Sequence, residues 1–114
     1  MQRSEIWLIN LSPTLGAEMQ KTRPAVIVND DEVGILPLKV IVPITDWKDR
    51  YVQAPWMVWL APSPENGLSK TSTADAFQVR SVSEQRFVSR LGSLPPETMD
   101  AIGNALKIVL KLQP

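Results

Sequence analysis

Only one stretch of this sequence keeps a helical period, and it comes at the end. Met99, Ile102, Leu106 and Val109 recur at spacings of three and four, which is one face of an α-helix. Pro96 suits the first turn of that helix, and Glu97 complements its positive end. Ala101, Ala105, Ile108 and Leu112 form a second apolar flank, so this helix is expected to be wedged between a sheet and something else, such as a partner subunit. Upstream, apolar residues come in short runs closed off by turn residues. Residues 6–9, Ile-Trp-Leu-Ile, read as a strand buried on both faces; 25–29 and the β-branched 38–44 read as two more, and 56–60 as a fourth. Shorter strands are expected around 73–79 and 87–91, with a helical turn at 82–86 between them. Asn66-Gly67 is the usual pair for a tight hairpin. Several short strands and one terminal helix predict a mainly β (α+β) chain, a small antiparallel barrel-like sheet closed by a helix.

Composition narrows the chemistry further. A length of 114 residues, 44% hydrophobic and 21% charged, fits one folded domain over 1–114. The chain has no cysteine and no histidine, which excludes disulfides, thiolate nucleophiles and Ser–His or Cys–His pairs and argues against structural zinc. No metal and no cofactor are expected. Twelve acids balance twelve bases, so no overall cationic field announces a nucleic-acid partner; if one binds, it binds at a local patch. No apolar run approaches a membrane span and residues 1–5 do not read as a secretory signal, so a cytoplasmic protein with no membrane association is expected.

Within the second strand signal, Arg23 stands immediately before Pro24, with Lys21 and Thr22 just upstream. Proline disfavours helical backbone in the residue before it, so Arg23 is held extended at the mouth of the strand. A long cation is thereby aimed from a defined place. Alone, such an arginine is more often a surface ion-pair partner than a functional group. Its neighbours decide the matter.

Arg3-Ser4-Glu5-Ile6-Trp7, Asn10-Leu11-Ser12-Pro13-Thr14, Gly16-Ala17-Glu18, Lys21-Thr22-Arg23-Pro24-Ala25, Pro43-Ile44-Thr45 and Asp75-Ala76-Phe77-Gln78-Val79-Arg80-Ser81 follow one another at particular intervals. In that order and spacing the chain resembles the MazF/PemK toxins of toxin–antitoxin systems, over roughly 3–110. The resemblance implies an SH3-like antiparallel β-barrel with a C-terminal α-helix, assembled as a homodimer. It implies a metal-independent endoribonuclease that cleaves single-stranded RNA, held inactive by a cognate antitoxin with a disordered C-terminal tail. The ribose 2′-hydroxyl would be the internal nucleophile, leaving a 2′,3′-cyclic phosphate and a 5′-hydroxyl. On these positions the resemblance assigns catalysis to Arg23, Thr45 and Glu18. The guanidinium fork pairs two phosphate oxygens, the hydroxyl donates to another, and the carboxylate is the natural base. Gln20 and Lys21 would line the same loop, Asp75, Gln78 and Arg80 would order it or touch RNA, and Trp47 could stack on a base. Met19 and Asp46 depart from the family pattern; a carboxylate at 46 must point away from the phosphate or help hold Arg23.

Two other functions fit the same sequence. The scaffold also occurs in toxins that bind DNA gyrase without enzymatic activity, for which C-terminal residues such as 111–114 would matter and Arg23 would not. A degenerate SH3-like binding module is the third reading, with Met19 and Asp46 as its support.

Overall fold

A computed structural model describes residues 1–112. Among them seven strands, β1 (Glu5–Asn10), β2 (Thr22–Ile27), β3 (Leu38–Asp46), β4 (Met57–Leu60), β5 (Ser72–Asp75), β6 (Arg80–Ser83) and β7 (Phe87–Ser93), precede one α-helix, α1 (Pro96–Leu110). Every ladder is antiparallel, in the order β4-β5-β3-β2-β1-β7, with β6 also on β3. The mainly β class with a C-terminal helix is the one the sequence predicts. Among the described residues no helix is long and apolar enough to cross a membrane.

β3 organises the sheet because both of its edges are used. One edge pairs with β2 through Ile41, Val42 and Pro43. The other takes β6 along Leu38–Ile41 and then β5 along Ile44–Asp46. A 3-10 turn, Ala76–Gln78, lies between β5 and β6, so the strand expected at 73–79 ends at Asp75, and the next one begins only at Arg80. Asp75 causes the break by capping that turn: its carboxylate accepts the Phe77 N–H at 3.0 Å, a local bond that competes with the ladder. Similarly, the helical turn expected at 82–86 is confined to a 3-10 turn, Glu84–Arg86, because Val82 stays in β6.

Apolar residues on the two faces of the sheet build two cores. Alternation along a strand sends residues three apart to opposite sides, so Ile6 joins one core and Ile9 the other, both fully buried. The first core holds Val26, Val42, Ile44 and Leu60 against Met99 and Ile102 of α1. The second holds Leu11, Ala25, Ile27, Ile41 and Val82, with Trp7, Met19 and Phe87 packed against it. The second flank of α1 divides: Ala105 is buried, whereas Ile108 and Leu112 are exposed.

The sheet is not a closed barrel. β4 and β7 terminate the strand order without pairing. A connection over 61–71 covers the gap instead, and the Ser93 N–H of β7 donates to the Glu65 carbonyl at 2.9 Å. Asn66 shapes this connection rather than a tight hairpin. Buried to 6% exposure, it donates to the Ala61 carbonyl and accepts from the Ser63 and Leu68 amides. Two glycines allow the close approach. A Cβ on Gly92 would collide with the Glu65 carbonyl oxygen, and one on Gly67, whose φ is +68°, with that of Leu91. Gly92→Ala should therefore cost about 1–3 kcal/mol, the usual range for forced overpacking, read as a lower urea midpoint at unchanged slope.

Candidate active site

The β2–β3 ladder runs Ile27↔Ile41, Val26↔Val42 and Ala25↔Pro43, then stops. Extending the register by two residues sets Arg23 opposite Thr45. The side chains meet there: Arg23 Nη1 donates to Thr45 Oγ1 at 3.2 Å, and Arg23 Nε donates to the Gln20 carbonyl at 2.9 Å. Both residues are only partly exposed. Among the described residues no carboxylate lies within ion-pair distance of Arg23, so its charge is held by neutral acceptors alone.

Arg23 and Thr45 border a cavity of about 330 Å³, whose other walls include Leu8, Pro24, Leu68 and Leu91. Asp46 and Lys70 line the same cavity and pair with each other, Lys70 Nζ to Asp46 Oδ2 at 3.2 Å. Asp46 thus holds Lys70 and not Arg23. One pleat along β3, at Pro43, a second cavity of about 520 Å³ begins, lined by Glu18, Met19, Phe77, Gln78 and Arg80. Glu18 therefore does not share the Arg23–Thr45 cavity. Its exposed carboxylate accepts the Leu15 N–H at 2.7 Å, bracing its own loop.

That loop, residues 11–21, is tied down at several points. Leu11 is fully buried and its N–H donates to the Lys21 carbonyl. Lys21 itself is exposed and takes a left-handed backbone, φ +68°, with its N–H on Ser12 Oγ. Arg86 donates to the Asn10 and Ser12 carbonyls, and Arg80 to that of Leu11. On the far side, Gln78 Oε1 accepts the Met19 N–H at 2.7 Å, while Gln78 Nε2 donates to Asp75 Oδ2 at 3.4 Å. Burial pushes the Asp75 carboxyl above its ordinary value, opposed by the bonds from the Phe77 N–H and the Gln78 amide. Asp75 and Gln78 thus order the loop that presents Gln20, and Gln20 holds Arg23.

Trp47 lines neither cavity. It packs edge-on against Tyr51, with 5.8 Å between ring centroids, and its backbone N–H donates to the Thr71 carbonyl. The aromatic at the site is Phe77, 71% exposed and edge-on to Trp56 at 6.3 Å. Nothing in the sequence distinguishes Phe77 from a core phenylalanine; the capped turn that lifts it outward is visible only in three dimensions.

The model of the PemK-like, MazF-like toxins of type II toxin–antitoxin systems matches residues 2–110. The chain belongs to this family. It is 30% identical to endoribonuclease MazF9 of Mycobacterium tuberculosis over 98% of both chains. With endoribonuclease PemK of Escherichia coli it shares 32% identity, over 96% of this chain and 82% of that one. Its fold matches that of MazF from Deinococcus radiodurans with a TM-score of 0.79 at 21% identity, covering 98% and 97% of the two chains. A further structure of the same fold is described as an endoribonuclease in complex with its cognate antitoxin, with a TM-score of 0.73 at 20% identity, over 100% and 98% of the chains.

If Gln78 fastens the loop of this family member, Gln78→Ala should raise amide exchange at Met19 by about tenfold, the equivalent of one lost hydrogen bond. Trypsin should also cut faster after Lys21. Unchanged exchange and proteolysis would show that the loop is held by its other ties.

Proposed function

We propose that the protein is an endoribonuclease toxin that cuts single-stranded RNA without a metal ion, by attack of the ribose 2′-hydroxyl on the adjacent phosphorus. The observation that carries this reading is the Arg23–Thr45 pair at a cavity mouth, with the guanidinium unneutralised by any carboxylate among the described residues. In the reaction the 2′-oxygen forms a bond to phosphorus and the bond to the 5′-oxygen breaks; the departing 5′-oxygen takes a proton from water, so a cyclic phosphate and a 5′-hydroxyl result. Charge builds on the two non-bridging oxygens. Arg23 meets that charge with its planar fork, and Thr45 Oγ1 donates to one oxygen. Both are already oriented, so little reorganisation is needed as the charge develops. Glu18 takes the 2′-hydroxyl proton in this scheme. It is the carboxylate of the neighbouring cavity and carries a single hydrogen bond from the loop amide. Gln20, Lys21 and Arg80 line the strand's path, Asp75 and Gln78 support it, and Phe77, not Trp47, offers a face to a base.

The reading extends to partners. Val33, Ile35, Leu36 and Leu38 expose an apolar loop and strand start beside a cavity of about 340 Å³, and Ile35 is 100% exposed. A second copy covering that surface makes a homodimer, and an acidic, unfolded antitoxin tail has the charge to occupy the Arg23 groove. Cellular RNA as substrate fits a cytoplasmic protein.

Purified protein incubated with mixed-sequence RNA and EDTA should cut it and leave cyclic phosphate ends. Arg23→Ala should lower kcat by about 10³-fold or more and Thr45→Ala by about 10²-fold, the range for single donors to a developing oxyanion. RNA left intact by the wild type across varied sequences would remove the proposal. A second measurement tests assembly: the wild type should sediment as a dimer, and Ile35→Asp should shift it towards monomer.

A further inference from the structure

The Arg23 cavity holds one other cation among the described residues, Lys70, and its partner stands next to Thr45. Asp46 ends β3, and its register partner on β5 is Ser72, two residues after Lys70. The ion pair therefore bridges opposing backbone segments at the cavity rim. Both side chains are open to water, 67% exposed for Lys70 and 56% for Asp46. An exposed pair of this kind is weak and exchanges readily. Elsewhere in the cavity the walls are apolar or hydroxylic, with Ser69 and Ser72 beside the pair.

Resting on the RNA reading above, we propose that Lys70 binds a second phosphodiester of the strand held by Arg23, and that Asp46 competes for the same ammonium. The cavity carries two cations against one carboxylate. Because the chain as a whole is neutral, no distant surplus of positive charge masks this local balance. A phosphate arriving at Lys70 displaces the Asp46 carboxylate or shares the ammonium with it, and in both cases meets repulsion from a fixed negative charge. Asp46 acts as a brake on polyanion affinity. That accounts for a carboxylate beside Thr45 in a site that must accept a phosphodiester. Lys70 cancels it at rest, and its cost falls on binding.

The test uses the full chain and fluorescein-labelled 2′-O-methyl oligonucleotides of mixed sequence, which lack the attacking hydroxyl and bind without being cut. Affinity is read by anisotropy at low and moderate salt for the wild type, Lys70→Ala, Asp46→Asn and the double variant. Lys70→Ala should weaken binding about fivefold at low salt and flatten the plot of log affinity against log salt by about 0.7, the single-strand value for one lost phosphate contact. Asp46→Asn should tighten binding about threefold, and most of that gain should vanish in the Lys70→Ala background. The inference is overturned by Lys70→Ala binding with wild-type affinity and slope, by Asp46→Asn binding no more tightly than wild type, by a gain that persists undiminished without Lys70, or by no binding at all. Cleavage of ordinary RNA by the same preparations separates the two levels. A wild type that binds but does not cut removes the nuclease reading and leaves Lys70 standing; one that cuts while Lys70→Ala binds unchanged removes only Lys70.

Discussion

Two prolines stop the central ladder, and the site lies where they stop it. Pro24 on β2 and Pro43 on β3 have no backbone N–H to give, and the β2–β3 pairing ends at Ala25↔Pro43. Proline inside a sheet normally marks an edge or an irregularity. Here it marks a change of partner. Beyond Pro43, β3 goes on to pair with β5, while β2 keeps its pairing with β1 through Thr22. The two strands stay opposed over Arg23 and Thr45 without main-chain bonds between them, and the side chains bond in their place. A continuous ladder would bring the backbones together and leave no mouth for a cavity.

Leaving an arginine half-buried without a counter-ion among the described residues has a cost, which the fold limits. Guanidinium is weakly hydrated and always charged, so it tolerates partial burial better than an ammonium does. Its bonds go to the Gln20 carbonyl and the Thr45 hydroxyl, neutral acceptors that orient it without cancelling its charge. A carboxylate at that distance would stabilise Arg23 more and leave less attraction for a phosphodiester. Asp46 sits next in sequence to Thr45, yet its carboxylate is taken up by Lys70. The loop supplying Gln20 is in turn held through Gln78 to a buried Asp75 whose carboxyl is pushed upward. Orientation of the cation thus rests on a chain of bonds reaching the interior.

Much of this was legible from one-dimensional patterns. Short apolar runs marked β1 to β4, the three-four spacing marked α1, and the proline after Arg23 fixed an extended backbone at the strand entrance. What could not be read was anything set by two segments meeting. The 3-10 turn at Ala76–Gln78 arises from an Asp75 side-chain bond that outbids the ladder, and β propensity alone gave one unbroken strand there. Asn66-Gly67 looked like a hairpin tip because that pair often is one, but here it packs under β7 across the open side of the sheet. Trp47 was singled out for its place after Thr45. Its ring is turned to Tyr51, and the exposed aromatic lining a cavity beside the site is Phe77, lifted by the capped turn. Glu18 is near Arg23 in sequence, yet the loop carries it to the adjacent cavity.

The competing readings place function elsewhere on the molecule, which makes them separable. A gyrase-binding toxin would work through the chain terminus; there Lys111 caps α1 in a left-handed backbone, Leu112 is exposed, and Gln113 and Pro114 lie outside the described residues. Structural likeness at about 20% identity establishes the fold and leaves that choice open, since one scaffold serves unrelated activities. The degenerate-module reading drew on Met19 and Asp46. Met19 packs against the second core and gives its N–H to Gln78, so it serves to seat the loop, and Asp46 is neutralised by Lys70. Neither departure breaks the Arg23–Thr45 contact. A decayed site would be expected to lose that contact first, because an uncompensated, partly buried guanidinium contributes less to stability than an apolar side chain of similar size. In this chain both side chains, and the bond between them, are in place.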